Sequence, residues 1–139
     1  FDHDRLIIEI TEDSLIQNGE QAAASIEACR RMGFRIAIDD MGSGFTALSD
    51  LYSHEIDLVK IERSVVLNAM TEKGARMLKG LIALAHDMGT RVLCEGVETA
   101  AQHEMIRETG CDMVQGFYYS RVLPLPEALR YLQSKGFIL

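Results

Sequence analysis

The sequence has few basic residues and no long apolar run. It contains 14 Lys and Arg residues against 21 Asp and Glu residues, which gives a formal net charge of −7, and it has no basic cluster. A surface that binds a nucleic-acid polymer needs such a cluster to replace the counterions of the phosphates, so that class of partner is excluded. No apolar stretch approaches the roughly 20 residues of a membrane-spanning helix, so no membrane segment is expected in this chain.

Cysteine is also scarce. Cys29, Cys94 and Cys111 are odd in number and lack the spacing of a metal site. Two of them lie in or beside runs that are typical of buried strands, as reduced thiols in a core often do. This pattern favours a reducing, cytoplasmic environment.

The remaining composition is globular. Of the 139 residues, 47% are hydrophobic, and a chain of this length hides roughly two-thirds of its unfolded surface on folding. One domain with a real core is therefore expected. The sequence begins with Phe1 and reaches a strand-like run by Leu6, so we expect it to be a piece of a longer protein.

Three segments share a plan of helix, glycine and short apolar strand. They are EACRRMGFRIAIDD, LAHDMGTRVLCEG and IRETGCDMVQG, with Gly33, Gly89 and Gly110 at the turns. Glycine suits the left-handed position after a helix. Strands that are apolar on both faces are typical of a parallel sheet covered by helices. With two further strands at RLIIEITE and EIDLVKIE, the pattern predicts an α/β fold with five strands in a mostly parallel sheet and flanking helices.

The helices between the strands are predicted to be amphipathic. In segment 75–88 the expected core stripe comprises Met77, Leu78, Leu81, Leu84, Ala85 and Met88. In segment 125–132 it comprises Leu125, Ala128, Leu129 and Leu132. A Met-rich stripe could form a binding groove, but core packing is the simpler interpretation.

Every predicted strand ends in polar or charged residues. In chain order these are Glu9 and Glu12, Asp39 and Asp40, Lys60 and Glu62, Glu95 and Glu98, and finally Gln115. Ligands of α/β folds bind beyond the carboxyl ends of the strands, so these side chains are candidates for one site. Carboxylates crowded there would repel strongly unless cations neutralised them. Oxygen ligands without nearby His or Cys favour Mg²⁺ or Mn²⁺, and two such ions about 4 Å apart commonly split phosphodiesters.

Two features of this site stay open at the level of sequence. Side chains of adjacent strand residues such as Asp39 and Asp40 leave opposite faces unless the backbone turns there. Single acids after strands can also be simple helix caps, and Glu98-Thr99 and Asp13-Ser14 are candidates for that role.

These motifs resemble the EAL family of bacterial phosphodiesterases that linearise cyclic di-GMP. The matching stretches are EITE (9–12), DDMGSGFTAL (39–48), DLVKIERS (57–64), CEGVET (94–99) and QGFYYSRVLP (115–124). They follow the family's order and spacing over most of the chain. The resemblance implies the C-terminal, five-stranded portion of a modified TIM (β/α)8 barrel. Residues 1–139 would then be a partial EAL domain without the upstream strands and the E-A-L tripeptide.

The resemblance also implies roles for individual residues. Lys60 and Glu95 would be catalytic, with Lys60 positioning or helping to activate the attacking water. The ligands of a two-ion Mg²⁺ or Mn²⁺ site would be Glu9, Asp39, Asp40 and Glu62. Substrate-binding or supporting positions would be Glu12, Glu98, Gln115 and Gly116. Glu12 would anchor the loop 41–46, which in the family shapes the metal site and carries dimer contacts.

The activity that the resemblance implies is hydrolysis of one phosphodiester of cyclic di-GMP to linear pGpG. We expect a homodimer or a swapped oligomer, because an incomplete barrel leaves two open strand edges and an apolar interior facing water. The parent protein is expected to be bacterial, cytoplasmic or tethered to a membrane, and attached to a sensor or regulatory domain.

One departure from the family pattern bears on activity. Glu62 replaces the usual Asp of the "KID" element, which moves a carboxylate outward by about 1.5 Å. Met41, Ser43 and Phe45 are milder replacements of Phe, Thr and Tyr. The alternative is therefore a catalytically degenerate module that binds cyclic di-GMP or a partner protein without turnover.

Two other interpretations of the acidic pair and the lysine fit poorly. A phospho-receiver domain places a further phosphorylated Asp before its lysine, whereas Lys60 directly follows the unit that bears Asp39 and Asp40. A Schiff-base role for Lys60 needs a lowered amine pKa, and neighbouring carboxylates would raise it.

Overall fold

The computed structural model describes residues 3–42 and 53–135. After a 3-10 helix at His3–Arg5, these residues form five strands and six helices. The strands are β1 (Ile7–Thr11), β2 (Arg35–Met41), β3 (Leu58–Ile61), β4 (Arg91–Cys94) and β5 (Met113–Val114). The helices are α1 (Glu12–Gln17), α2 (Gly19–Arg31), α3 (Arg63–Asn68), α4 (Glu72–Asp87), α5 (Ala100–Arg107) and α6 (Leu125–Ser134).

The five strands form one parallel sheet whose spatial order equals the order along the chain. Ile8 of β1 pairs with Ile36 of β2, and Val59 of β3 pairs with Val92 of β4. Because every ladder is parallel, all five carboxyl ends lie at one edge of the sheet. The predicted α/β fold, with a parallel five-stranded sheet and flanking helices, is confirmed.

The central strands β2 and β3 are buried on both faces, as their apolar sequences require. All four residues of β3 are buried, and Ile36 and Ile38 of β2 are fully buried. Successive side chains of a strand point to opposite faces, so burial of the whole of β3 means that packing covers both sides of the sheet. Any polar side chain on β3 must therefore find partners inside the protein.

Helix α4 presents a different face to the core from the predicted one. Leu78 and Ala85 are buried as expected, and Ile82 is buried with them. Met77 and Leu84 are 49% and 38% exposed, so their assignment to the core was wrong. The buried positions follow the i, i+4, i+7 spacing of a narrow stripe. The predicted stripe was too wide because apolar residues also stand beside these positions.

The predicted turns and one predicted cap are present. Gly33, Gly89 and Gly110 all have positive φ, between 78° and 88°, as expected for a left-handed residue after a helix. Thr99 caps α5 in a capping box with Gln102. At the start of α1 the cap is Thr11, whose hydroxyl accepts the Ser14 N–H at 3.3 Å, so the predicted Asp13-Ser14 cap was two residues too late.

The outer elements of the fold are only partly covered. Within the described residues β1 and β5 each pair on one side only, and α6 has no buried residue. Leu125 and Leu129 of α6 are 70% and 39% exposed, which contradicts their assignment to the core. The predicted self-association stays a prediction. None of the described helices is long and apolar enough to cross a membrane.

Candidate active site

The end of β2 carries the acidic pair in an unusual backbone conformation. Asp40 has a φ of 58°, and the pairing of β2 with β3 shifts register between Ile38 and Met41. This turn breaks the alternation of side chains, so Asp39 and Asp40 face the same region. Together with Glu95, which follows β4, they offer oxygen atoms that lie within 4.8 Å of one another. Backbone strain at a non-glycine residue with positive φ costs of the order of 1–3 kcal/mol, and residues strained in this way are typical of functional sites.

Lys60 lies at the centre of this group. Its Nζ is 2.9 Å from Glu9 Oε2, 3.0 Å from Asp39 Oδ1 and 3.0 Å from Glu95 Oε1. The Lys60 side chain is 11% exposed, and an ammonium group has three donors. Three carboxylates therefore use all three donors of a nearly buried cation.

The surroundings keep Lys60 charged. Burial by itself lowers the pKa of Lys60, but hydrogen bonds to Glu9, Glu95 and Asp39 and the negative charge of Glu95 raise it by more. The net pKa lies well above the ordinary value of 10.5. The predicted upward shift is confirmed, and a Schiff-base role for this amine is ruled out.

The three carboxylates that bind Lys60 each use one oxygen for it. The other oxygens, Glu9 Oε1, Asp39 Oδ2 and Glu95 Oε2, have no hydrogen-bond partner in the part of the chain that the structure describes. Asp40 lies beside Asp39 and Glu95, so the cluster holds four carboxylates and one ammonium, a formal excess of three negative charges. Oxygen atoms from several carboxylates in one place suit a hard divalent cation.

Glu12 connects the first helix to the end of β2. Its side chain is 1% exposed, and Oε2 accepts the Gly42 N–H at 3.3 Å. Gly42 has a φ of 123°, and a Cβ there would lie 2.4 Å from Val65 Cγ2, so glycine is required. Glu12 thus anchors the start of the predicted loop 41–46, and the rest of that loop lies outside the described residues.

Glu62 lies apart from the carboxylate cluster in this structure. Its side chain accepts a hydrogen bond from the Ser64 hydroxyl, while its backbone N–H donates to the Met41 carbonyl at 3.3 Å. Glu62 is also the residue before α3, without a side-chain cap bond. Its role as a metal ligand stays a prediction.

Glu98 binds a residue that the sequence analysis did not single out. Arg63 Nε and a terminal nitrogen each donate to Glu98 at 3.1 Å. The Arg63 stem also covers Gly96, where a Cβ would lie 2.4 Å from Arg63 Cγ. This contact connects the start of α3 to the turn that carries Glu95. Arg63 directly follows the "KIE" stretch, but nothing in its position alone indicated the partner.

Gln115 and Gly116 lie where β5 meets the next turn. The Gln115 N–H donates to the Cys94 carbonyl at 2.9 Å, and its carbonyl accepts the Val97 N–H at 3.1 Å. A Cβ at Gly116 would lie 2.0 Å from the Val97 carbonyl oxygen, so this turn needs glycine for a close backbone approach. The Gln115 side chain is exposed at the same edge of the sheet.

The two tyrosines that follow pack against a histidine. Tyr118 stacks on His103 with ring centroids 5.4 Å apart, and the Tyr119 hydroxyl lies 2.5 Å from His103 Nδ1. In this structure they pack against α5.

Comparison with known proteins identifies the class to which this fold and site belong. The profile of the family described as "EAL domain" matches residues 1–122. The chain therefore belongs to the EAL domain family, and its five parallel βα units correspond to part of the TIM-barrel-like fold of that family.

Two curated relatives have similar sequences over nearly the whole chain. The cyclic di-GMP phosphodiesterase NbdA of Pseudomonas aeruginosa is 34% identical over 133 residues, which are 95% of this chain and 17% of that protein. The oxygen sensor protein DosP of Escherichia coli is 34% identical over 135 residues, 96% of this chain and again 17% of that protein. The chain thus spans under a fifth of the length of these relatives.

Solved structures of EAL proteins superpose closely. The PaMucR phosphodiesterase in complex with c-di-GMP gives a TM-score of 0.85 at 29% identity, covering 92% of this chain and 52% of that chain. Klebsiella pneumoniae BlrP1 in a complex with manganese and cy-diGMP gives a TM-score of 0.81 at 30% identity, covering 87% of this chain and 31% of that one.

Proposed function

We propose that the domain containing this chain hydrolyses one phosphodiester bond of cyclic di-GMP to give linear pGpG. The supporting observation is the convergence of Asp39, Asp40 and Glu95 beside the nearly buried Lys60. Membership of the EAL family and the named activity of NbdA agree with it. We also propose that residues 1–139 supply the last five βα units of the barrel.

The donor atoms at this sheet edge fit Mg²⁺ or Mn²⁺. Asp39, Asp40 and Glu95 would hold the ions, because their oxygens already lie within 4.8 Å of one another. Glu9 adds a carboxylate through its shared contact with Lys60, and Glu62 would be a further ligand. When bound, such ions polarise phosphoryl oxygens and make bound water more acidic.

Lys60 donates hydrogen bonds in this chemistry and accepts none. Because its raised pKa keeps the amine protonated near neutral pH, it cannot serve as a general base. One of its three carboxylate contacts must lengthen for its Nζ to reach a water or a phosphoryl oxygen. Lys60 would then orient the nucleophile and stabilise charge that develops on the phosphate.

The attacking water must lose a proton as its oxygen bonds to phosphorus and the ester bond to the ribose oxygen breaks. Glu95, the carboxylate expected to be catalytic, would accept it: Oε1 is held by Lys60, and Oε2 has no partner among the described residues. Gln115 and Gly116 close the same edge and would face the substrate. Glu12 and Glu98 would hold the two turns that shape the site through Gly42 and Arg63.

A degenerate binding module is the second candidate function. It is favoured by one observation, the engagement of Glu62 with Ser64 away from the cluster of Asp39, Asp40 and Glu95. Under this proposal the same site would hold cyclic di-GMP or a partner protein without cleaving a bond.

Product analysis separates the two candidates. The protein that contains this chain would be incubated with cyclic di-GMP and Mn²⁺ or Mg²⁺, and products would be resolved by ion-pair chromatography. We expect pGpG from the wild type, none from Asp39→Asn, and wild-type conversion from Asp87→Asn, which makes the same change on the exposed end of α4. Calorimetric binding of cyclic di-GMP without pGpG formation would contradict the enzyme and favour the binding module.

The proposed self-association needs its own experiment. The one-sided strands β1 and β5 and the exposed leucines of α6 support a homodimer or swapped oligomer. Sedimentation velocity over a wide concentration range is expected to show concentration-dependent association of the 139-residue chain. A monomer at every concentration would contradict it.

A further inference from the structure

Two cysteines that the proposed reaction does not use lie in contact next to the site. Cys94 ends β4 and is completely buried, and Cys111 lies in the turn between α5 and β5 and is half-buried. Their Sγ atoms are 3.5 Å apart. The third cysteine, Cys29, is on α2 and is a free thiol like the other two.

We propose that Cys94 and Cys111 form a modification site, a thiol pair that a hydroperoxide oxidises to an intramolecular disulfide and that a dithiol reductant restores by thiol–disulfide exchange. A disulfide has an S–S distance of about 2.05 Å. The two sulfurs must therefore approach by about 1.5 Å, starting from 3.5 Å. Cys94 ends β4 and Cys111 precedes β5, which pairs with β4, so both segments would share this movement.

Cys111 is the thiol that an oxidant can reach. It lines a cavity of about 100 Å³ together with His103, Arg107 and Asp112, whereas Cys94 has no exposed surface. A water molecule takes about 30 Å³, so hydrogen peroxide fits. The hydrogen bond with Cys94 lowers the pKa of the Cys111 thiol. A thiolate is the form that reacts with peroxides.

The reaction balances with the peroxide as oxidant. The Cys111 thiolate attacks one peroxide oxygen, the O–O bond breaks, and the products are a sulfenic acid and, after protonation, water. The Cys94 sulfur then attacks the sulfenic sulfur, so that the S–S bond forms and the S–O bond breaks. The leaving hydroxide takes the Cys94 proton and departs as a second water. Two thiols are oxidised by two electrons and the peroxide is reduced to two waters.

The disulfide would act on the site through Glu95, and this part rests on the proposed function. Cys94 immediately precedes Glu95 in sequence, and its carbonyl accepts the Gln115 N–H at 2.9 Å. Pulling the Cys94 side chain toward β5 would shift the Glu95 carboxylate, which now lies 3.0 Å from Lys60 Nζ. We expect the oxidised protein to bind Mn²⁺ several-fold more weakly than the reduced protein.

Peptide mapping tests the modification without any activity measurement. The protein would be treated with hydrogen peroxide, blocked with iodoacetamide and digested with trypsin. Cleavage after arginine places Cys94 in peptide 92–107 and Cys111 in peptide 108–121. We expect these two peptides to be joined, about 2 Da below their summed mass, and separated by dithiothreitol. The Cys29→Ser variant, which removes the third thiol and keeps the other two, should give the same joined pair.

Two results would overturn the modification site. One is full alkylation of Cys94 and Cys111 when the peroxide-treated protein is denatured, blocked with iodoacetamide and digested. The other is oxidation that stops at Cys111 sulfinic acid or joins either cysteine to Cys29. These readings use the wild-type protein, so they do not depend on whether a Cys111→Ser variant folds.

Calorimetric titration with Mn²⁺ tests the coupling to Glu95. Affinity should fall several-fold on oxidation of the wild type and stay unchanged in peroxide-treated Cys111→Ser. Equal Mn²⁺ affinity of the reduced and disulfide forms would refute the coupling while the disulfide itself stands. Absence of Mn²⁺ binding in the reduced wild type would instead count against the proposed function.

Discussion

Replacement of Lys60 by methionine removes the ammonium group that Glu9, Asp39 and Glu95 share. Methionine keeps much of the apolar stem, so the change acts mainly on charge. Without the cation, the carboxylates repel one another. Asp39 and Glu95 offer oxygens within 4.8 Å of each other, a separation at which two unit charges repel by about 3–4 kcal/mol at an effective dielectric constant near 20.

Solvent reduces this repulsion. The Asp39 and Glu95 side chains are 22% and 21% exposed, so water and salt screen part of it. We expect Lys60→Met to lower the free energy of unfolding by about 2 kcal/mol in EDTA at low salt. For a chain of this size that corresponds to a fall in Tm of about 6–10 °C.

The assay is thermal unfolding followed by circular dichroism, first in EDTA and then with Mn²⁺. Mn²⁺ should restore most of the lost stability of Lys60→Met, since the cation would take the place of the ammonium among the same oxygens. Lys79→Met on the exposed surface of α4 is the matched control and should melt like the wild type. A Lys60→Met variant as stable as the wild type in EDTA would refute the electrostatic reasoning.

Three further predictions concern single positions. Glu62→Asp should raise the rate of pGpG formation several-fold in a chromatographic assay, because the shorter side chain would lose its hydrogen bond with Ser64 and turn to the carboxylate cluster. An unchanged or lower rate would contradict this. Gly42→Ala should lower the free energy of unfolding by about 2–4 kcal/mol in urea titrations, since its φ is 123° and its Cβ would lie 2.4 Å from Val65. Gly80→Ala in the open middle of α4 should instead add about 0.5–1 kcal/mol. The stability difference between wild type and Lys60→Met should stay constant between about pH 6 and 9. Because folding raises the pKa of Lys60, its stabilisation is complete below the unfolded-chain pKa of 10.5 and is lost only as the pH rises through the folded-state pKa. A difference that shrinks between pH 7 and 9 would contradict it.

The sheet and the meeting of its polar strand ends at one edge were predictable because they depend on strongly patterned features. Short apolar strands followed by polar residues recur at each unit, and parallel pairing alone brings their carboxyl ends to one edge. The raised pKa of Lys60 followed from the same reasoning, since a lysine placed among carboxylates stays protonated.

The finer geometry depends on backbone detail that the sequence pattern does not contain. Both aspartates face one region because Asp40 is left-handed and the strand register shifts beside it. An aspartate in the sequence does not by itself indicate which backbone conformation it adopts. The engagement of Glu62 with Ser64 and of Arg63 with Glu98 depends on how α3 is oriented. The predicted core face of α4 was wrong at Met77 and Leu84, because the helix buries a narrower stripe than its apolar residues would permit.

The central claim is that the carboxylates at this sheet edge hold divalent cations. The most direct measurement is anomalous diffraction at the manganese edge from crystals soaked in MnCl₂. We predict manganese peaks within about 2.0–2.6 Å of carboxylate oxygens of Asp39, Asp40 and Glu95, with Lys60 moved away from at least one of them. Crystals without such peaks, in which Lys60 still binds Glu9, Asp39 and Glu95 in excess Mn²⁺, would contradict it.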